Sequence, residues 1–166
     1  HPSIVYDDEM VTNPVNPRAL TPRARLGEPA DGLVHEEFPL MGMIGRSSVV
    51  HFAGVTHWTP TGKQLDGVRL IQLHPSVAAE AGIAEGDDIV VESPRGRVGG
   101  TALLWEEMRP DTVFVPNGFG FAQGVGPDTG APLYEAPANT LPDDRYFDNL
   151  SGQQAYKCFA CRVVRA

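Results

Sequence analysis

Three groups of residues in this chain are of types that do chemistry. Asp128-Thr129-Gly130 puts a carboxylate in a tight turn. Two such turns, paired in a dimer, can hold two carboxylates around one water for acid–base hydrolysis. Cys158 and Cys161 have C-x-x-C spacing, which suits a dithiol redox pair or half of a zinc site. The third group sits beside glycines. Gly45-Arg46 joins a residue that lets backbone approach a ligand closely to a cation that grips phosphate in two-pronged fashion. The loop from Val49 to Leu65 offers His51, Thr56, His57, Thr59 and Thr61 as hydrogen-bonding groups and Trp58 as a stacking face. Gly118, Gly120, Gly124 and Gly126 make a loop whose backbone N–H groups suit an anion. Lys157 stands with Lys63 in an otherwise Arg-based chain, and its charge suits a phosphate.

Each signal has a plainer reading. An aspartic protease turn follows a hydrophobic strand, whereas Asp128 follows Gly124-Val125-Gly126-Pro127, so Asp128 is expected to stabilise its own turn. Tyr156 to Val164 reads as a strand, on which residues three apart face opposite sides; with no second C-x-x-C, both cysteines are expected to pack, and no four-ligand metal site can be assembled. His51 and His57 suit either a ligand contact or a satisfied structural role. No G-x-G-x-x-G opens a helix. Arg46 alone reads as a surface residue, and Lys157 as a solvated strand-edge lysine.

The elements that must position these residues centre on 70–104. Leu70 to Leu73 is a short strand, broken by His74-Pro75-Ser76, with Ser76 as expected helix cap. Val77 to Ala81 gives one or two helical turns that stop at Gly82. Ile83 plugs the core and Gly86-Asp87 turns. Ile89 to Val91 is a strand, Ser93-Pro94-Arg95-Gly96 a hairpin turn, and Val98 to Leu104 the return strand. Phe38 to Ile44, Thr112 to Pro116 and the last strand complete the set. The expected core is Ile71, Leu73, Ile83, Ile89, Val91, Val98, Leu103, Val113 and Val115. This order suits a small closed β-barrel.

The stretch His74-Pro75-x-x-Ala78-x-x-x-Gly82-Ile83-x-x-Gly86-Asp87-x-Ile89-x-Val91-x-Ser93-x-x-Gly96 resembles the molybdopterin-dinucleotide-binding C-terminal domain of the dimethyl sulfoxide reductase superfamily of molybdenum and tungsten oxidoreductases. The likeness runs from about Phe38 to Val164. Glu36-Glu37-Phe38-Pro39-Leu40 ahead of Gly45-Arg46, with Asn117-Gly118-Phe119-Gly120, is most similar to the polysulfide/thiosulfate reductase and formate dehydrogenase branches. The resemblance implies a mainly β fold with short helices, a six-stranded double-psi β-barrel of the aspartate-decarboxylase type, over residues 38–166. It implies molybdopterin guanine dinucleotide, carrying Mo or W, as a cofactor shared with a large catalytic molybdopterin/iron–sulfur polypeptide in the same or a separate chain. The chain would be a cofactor-capping domain or split subunit, part of an oxidoreductase yet inactive alone. The implied cofactor-binding residues are Gly45, Arg46, Ser47, His51, Thr56, His57, Asn117, Gly118, Asn139, Tyr156 and Lys157, with no catalytic residue or metal ligand. The family pattern Asn-x-Leu-Thr-x-Asp meets Asn139-Thr140-Leu141-Pro142-Asp143, with Pro142 in place of Thr and Asn149 as the second choice for the family Asn. The rival readings are an aspartic-protease-like barrel using Asp128 and a non-catalytic interaction barrel.

Composition narrows the classes further. A formal net charge of −8 argues against nucleic acid. No run approaches the roughly 20 apolar residues of a membrane span. Residues 1–37 read as an extended, proline-punctuated linker or arm, solvated or laid across a partner. The chain begins at His1 without a signal-peptide pattern, as expected of a processed chain, a fragment or the back part of a longer polypeptide; compartment is not legible.

Overall fold

The computed structural model describes residues 36–47, 59–65, 67–119, 136–142 and 159–166. Within these, six strands form: β1 (Leu40–Gly45), β2 (Leu70–Leu73), β3 (Asp88–Glu92), β4 (Arg97–Leu104), β5 (Thr112–Pro116) and β6 (Phe159–Arg165). Two short helices, α1 (Pro60–Leu65) and α2 (Pro75–Glu80), and a 3-10 turn (Ala138–Thr140) join them. The strands close in the order β1-β5-β2-β4-β3-β6. β1 and β5 run parallel, as do β2 and β4; the other four pairings are antiparallel. Parallel neighbours need crossovers, and here two such pairs interlock in one closed sheet, the double-psi barrel. Closure leaves no strand edge exposed along the sheet.

Alternation fills the interior. Ile71 and Leu73 of β2, Ile89 and Val91 of β3, Val98 of β4, and Val113 and Val115 of β5 are fully buried, and Ile83 packs in the same core. Leu103 is the exception. It is only half-buried, and Ala102 takes the inward position. The reason is parity: Val98 and Leu103 are an odd number of residues apart, so they cannot share a face of one strand. Glycines make room where large residues point inward. A Cβ on Gly42 would collide with the Phe159 ring across the β1–β6 pair, and one on Gly100 would sit 2.6 Å from Ile71 Cδ1.

The helix after β2 starts differently from its expected cap. His74, not Ser76, is the N-cap; its Nδ1 accepts the Ser76 N–H at 3.1 Å, and Pro75 takes the first turn. Pro lacks the N–H that a first-turn residue would leave unsatisfied. Gly82 then leaves the helix at φ 65 and Gly86 turns at φ 81. Of the arm expected over residues 1–37, Glu36 and Glu37 alone fall among the described residues.

Candidate functional site

Strand direction sorts the loops into two ends of the barrel. One end collects the C-terminus of β1, the approach to β2, the β3–β4 hairpin, the C-terminus of β5 and the N-terminus of β6. The 3-10 turn packs on this loop-bearing end. A Cβ on Gly96 would lie 2.7 Å from the Thr140 carbonyl oxygen, and Ser93 Oγ donates to the Leu141 carbonyl at 2.8 Å. The other end collects α2, the Gly86-Asp87 turn and the β4–β5 connection.

The residues singled out from sequence that fall among the described ones are Gly45, Arg46, Ser47, Asn117, Gly118 and Asn139. All lie at the loop-bearing end. Gly45 pairs with Pro116 in the β1–β5 register, and the Asn117 N–H donates to the Gly45 carbonyl at 2.7 Å. The Gly45-Arg46-Ser47 and Asn117-Gly118 turns therefore leave adjacent parallel strands side by side. Gly118 has φ 91, a conformation an L side chain strains to adopt. Arg46 and Asn139 are exposed, and Ser47 and Asn117 are half-buried. His51, Thr56, His57, Tyr156 and Lys157 lie outside the described residues, as do Trp58, Asp128, Cys158 and Asn149.

Charge divides along the same axis. Among the described residues the loop-bearing end carries Arg46, Arg69, Arg95 and Arg97. Its acid is Glu92, which Arg97 engages at 2.7 Å and Arg162 at 2.8 Å. These ion pairs follow from register, since Glu92 stands opposite Arg97 on β4 and Arg162 on β6. The other end carries Glu36, Glu37, Glu80, Glu85, Asp87, Asp88, Glu106, Glu107 and Asp111, against Arg109 and Arg165, and Glu37 also reaches Arg162 at 3.7 Å. Among the described residues, Arg46, Arg69, Arg95 and Arg97 thus lie with the loops and most carboxylates at the other end.

Arg69 was not among the residues read from the sequence. It is 2% exposed. Its Nη1 donates to the Gly99 carbonyl at 3.0 Å and its Nη2 to the Ala136 carbonyl at 2.7 Å. Burial lowers its pKa to about 10, so it remains a cation at neutral pH. The signal was available: 69, 71 and 73 share parity, and period 2 sends all three inward. Cys161 is also buried, and desolvation pushes its thiol up to about 12. It stays protonated and packs rather than reacts. Among the described residues no group of three or more His, Cys, Asp or Glu could hold a metal ion, and no helix is long and apolar enough to cross a membrane.

The donor set at the loop-bearing end fits a dinucleotide. It has an exposed guanidinium that suits phosphate, side-chain amides that suit ring edges, and a glycine turn at positive φ. The family profile described as "Molydopterin dinucleotide binding domain" matches residues 41–160. The thiosulfate reductase molybdopterin-containing subunit of Salmonella typhimurium is 40% identical over 76 residues, 46% of this chain and 10% of that protein. The dopamine dehydroxylase of Eggerthella lenta is 25% identical over 138 residues, 83% of this chain and 13% of that protein. The chain thus spans roughly a tenth of the length of these relatives. The fold matches that of acetylene hydratase from Pelobacter acetylenicus with TM-score 0.71 at 21% identity, over 86% of this chain and 21% of that one. With 41–160 matched on a barrel of this topology, the chain belongs to the molybdopterin dinucleotide-binding domain family of the dimethyl sulfoxide reductase superfamily.

Proposed function

We propose that this chain is the cofactor-capping part, domain or separate subunit, of a molybdenum or tungsten oxidoreductase. In this reading it grips a molybdopterin guanine dinucleotide shared with a larger catalytic polypeptide. One observation carries the reading: the β1 turn, the β5 turn and the 3-10 turn converge on one end of the barrel, where Arg46, Arg69, Arg95 and Arg97 also lie. A buried dinucleotide needs cations for its pyrophosphate and hydrogen-bonding partners for two ring systems, because unpaired buried polar groups are costly. Arg46 supplies a cation. Asn117 and Asn139 supply amide donors and acceptors for ring edges. The backbone at Gly118 supplies close approach. His51, Thr56, His57, Tyr156 and Lys157 would complete the set. When bound, the metal–pterin group supplies the redox chemistry, while the chain supplies orientation, charge and exclusion of water. The chain alone would be inactive, and substrate and electron acceptor would be set by the larger polypeptide.

The experiment takes the intact enzyme containing this chain and measures pterin guanine dinucleotide and metal per polypeptide, with native mass spectrometry for the partner. Arg46→Ala and Lys157→Ala are expected to lower cofactor content while leaving thermal unfolding of the cofactor-stripped protein unchanged. An intact enzyme without pterin, turnover by the 166-residue chain alone, or full loading of both variants would overturn the proposal.

A further inference from the structure

Arg69 is held in a way that stability does not explain. Among the described residues no acidic side chain pairs with it: desolvation lowers its pKa, and Nε has no hydrogen-bond partner. A buried cation without a paired anion is destabilising, and an apolar side chain of similar volume at such a place is often neutral or better. The guanidinium makes two carbonyl bonds and lies 5.3 Å from the Phe119 ring centroid. These partners come from three segments. Gly99 is in β4, Phe119 ends the turn that carries Asn117 and Gly118, and Ala136 leads into the 3-10 turn that carries Asn139. A planar fork reaches two carbonyls through separate nitrogens while lying near a ring, which an apolar residue cannot do and the single nitrogen of a lysine does not reproduce. The unpartnered Nε fits this. The orientation that reaches both carbonyls and the ring is kept at the expense of one donor.

We infer that Arg69 is a positioning residue for the dinucleotide site, its fork fixing the Asn117-Gly118 turn relative to the Asn139 turn. It touches no cofactor; it sets the spacing between two of the loops that do. This rests on the cofactor-capping reading above. The test uses the intact enzyme with Arg69→Met and Arg69→Lys. Three quantities are read: pterin per polypeptide, the half-time of pterin release at fixed temperature, and the unfolding midpoint of the cofactor-stripped protein. Pterin release is expected to be roughly 10- to 100-fold faster in both variants, the scale typical of residues that orient a site's ligands. The midpoint should hold or rise in Arg69→Met. Arg69→Lys should not rescue, because charge without the fork cannot span the two carbonyls. Release at the wild-type rate in either variant would overturn the inference. So would a midpoint that falls in step with pterin loss in both, or failure of both to fold, since either makes Arg69 a stability residue. A wild-type enzyme lacking pterin would instead sink the parent reading. A loaded wild type with equally retentive variants would sink this inference alone.

Discussion

The two ends of the barrel are built from the same strands and differ in almost everything else. The end that carries the recognisable sequence motif is closed by internal bonds. His74 caps α2, Ile83 N–H donates to the Ala78 carbonyl at 2.8 Å, and Asp87 Oδ2 accepts the Ala84 N–H at 3.0 Å. Glu85 Oε2 accepts the Leu104 N–H at 2.6 Å, tying the Gly86-Asp87 turn to the end of β4. The opposite end keeps Arg46 and Asn139 exposed and, among the described residues, also bears Arg69, Arg95 and Arg97. The most legible motif in the chain is therefore mainly structural scaffold, and the proposed ligand chemistry lies across the barrel from it. Ser93 links the two roles. It belongs to the motif by sequence, yet its hydroxyl organises the β3–β4 hairpin, accepting the Arg95 and Gly96 N–H groups at 3.1 Å. The same hydroxyl anchors Leu141 beside the Asn139 turn.

The comparison breaks if damage at the motif end moves cofactor directly. The largest expected effect is Ile83→Ala, which opens a cavity under the closed end and should cost roughly 2–5 kcal/mol of stability. Denaturant unfolding checks it. Pterin content of the molecules that remain folded should be unchanged.

A sharper version matches two glycines with the same backbone demand. Gly86 at φ 81 and Gly118 at φ 91 sit at opposite ends. A Cβ at Gly86 meets nothing within 4 Å, so alanine there should cost the left-handed strain alone, about 1–2 kcal/mol. Gly86→Ala and Gly118→Ala should both lose stability, but Gly118→Ala alone should speed pterin release. Equal release from both would erase the distinction between the ends.

The smallest effect is electrostatic. At the motif end Arg109 donates to Asp111 through Nε at 3.0 Å and Nη2 at 2.6 Å. This hydrogen-bonded pair holds the Asp111 carboxyl below its usual range. The folded value is thus lower than the unfolded one. The stabilisation is present above the unfolded pKa and disappears as pH falls through the folded pKa. Both side chains are well exposed, so the contribution is small. Asp111→Asn should lower the unfolding midpoint slightly at neutral pH, converge with wild type in acid, and leave cofactor content alone at every pH.

Much of the fold was legible because local rules and the global fold agree. The strand over 70–73 matches β2 as expected, and the Ser93-Pro94-Arg95-Gly96 hairpin lies between β3 and β4. Other boundaries moved by a residue or two, as with β1 at Leu40–Gly45 against Phe38 to Ile44. Leu103 was misplaced because its apolar character outweighed its parity. Arg69 was missed for the converse reason. Its parity pointed inward, but a cation there is unexpected until its carbonyl partners, far away in sequence, are known.

By itself the sequence determined the turn glycines, the period-2 interior and the family likeness, since those follow from one residue's own conformational limits or from near neighbours. It also determined a net charge of −8, but not where that charge lies. Only the tertiary structure decided that, among the described residues, Arg46, Arg69, Arg95 and Arg97 lie at one end and most carboxylates at the other, and that Arg46, Gly118 and Asn139 share one end. It also decided that Arg69 joins Gly99, Phe119 and Ala136. The physical reason is closure. In a barrel with two parallel crossovers, strand direction assigns every loop to an end, and that assignment is a property of the closed sheet rather than of any one segment.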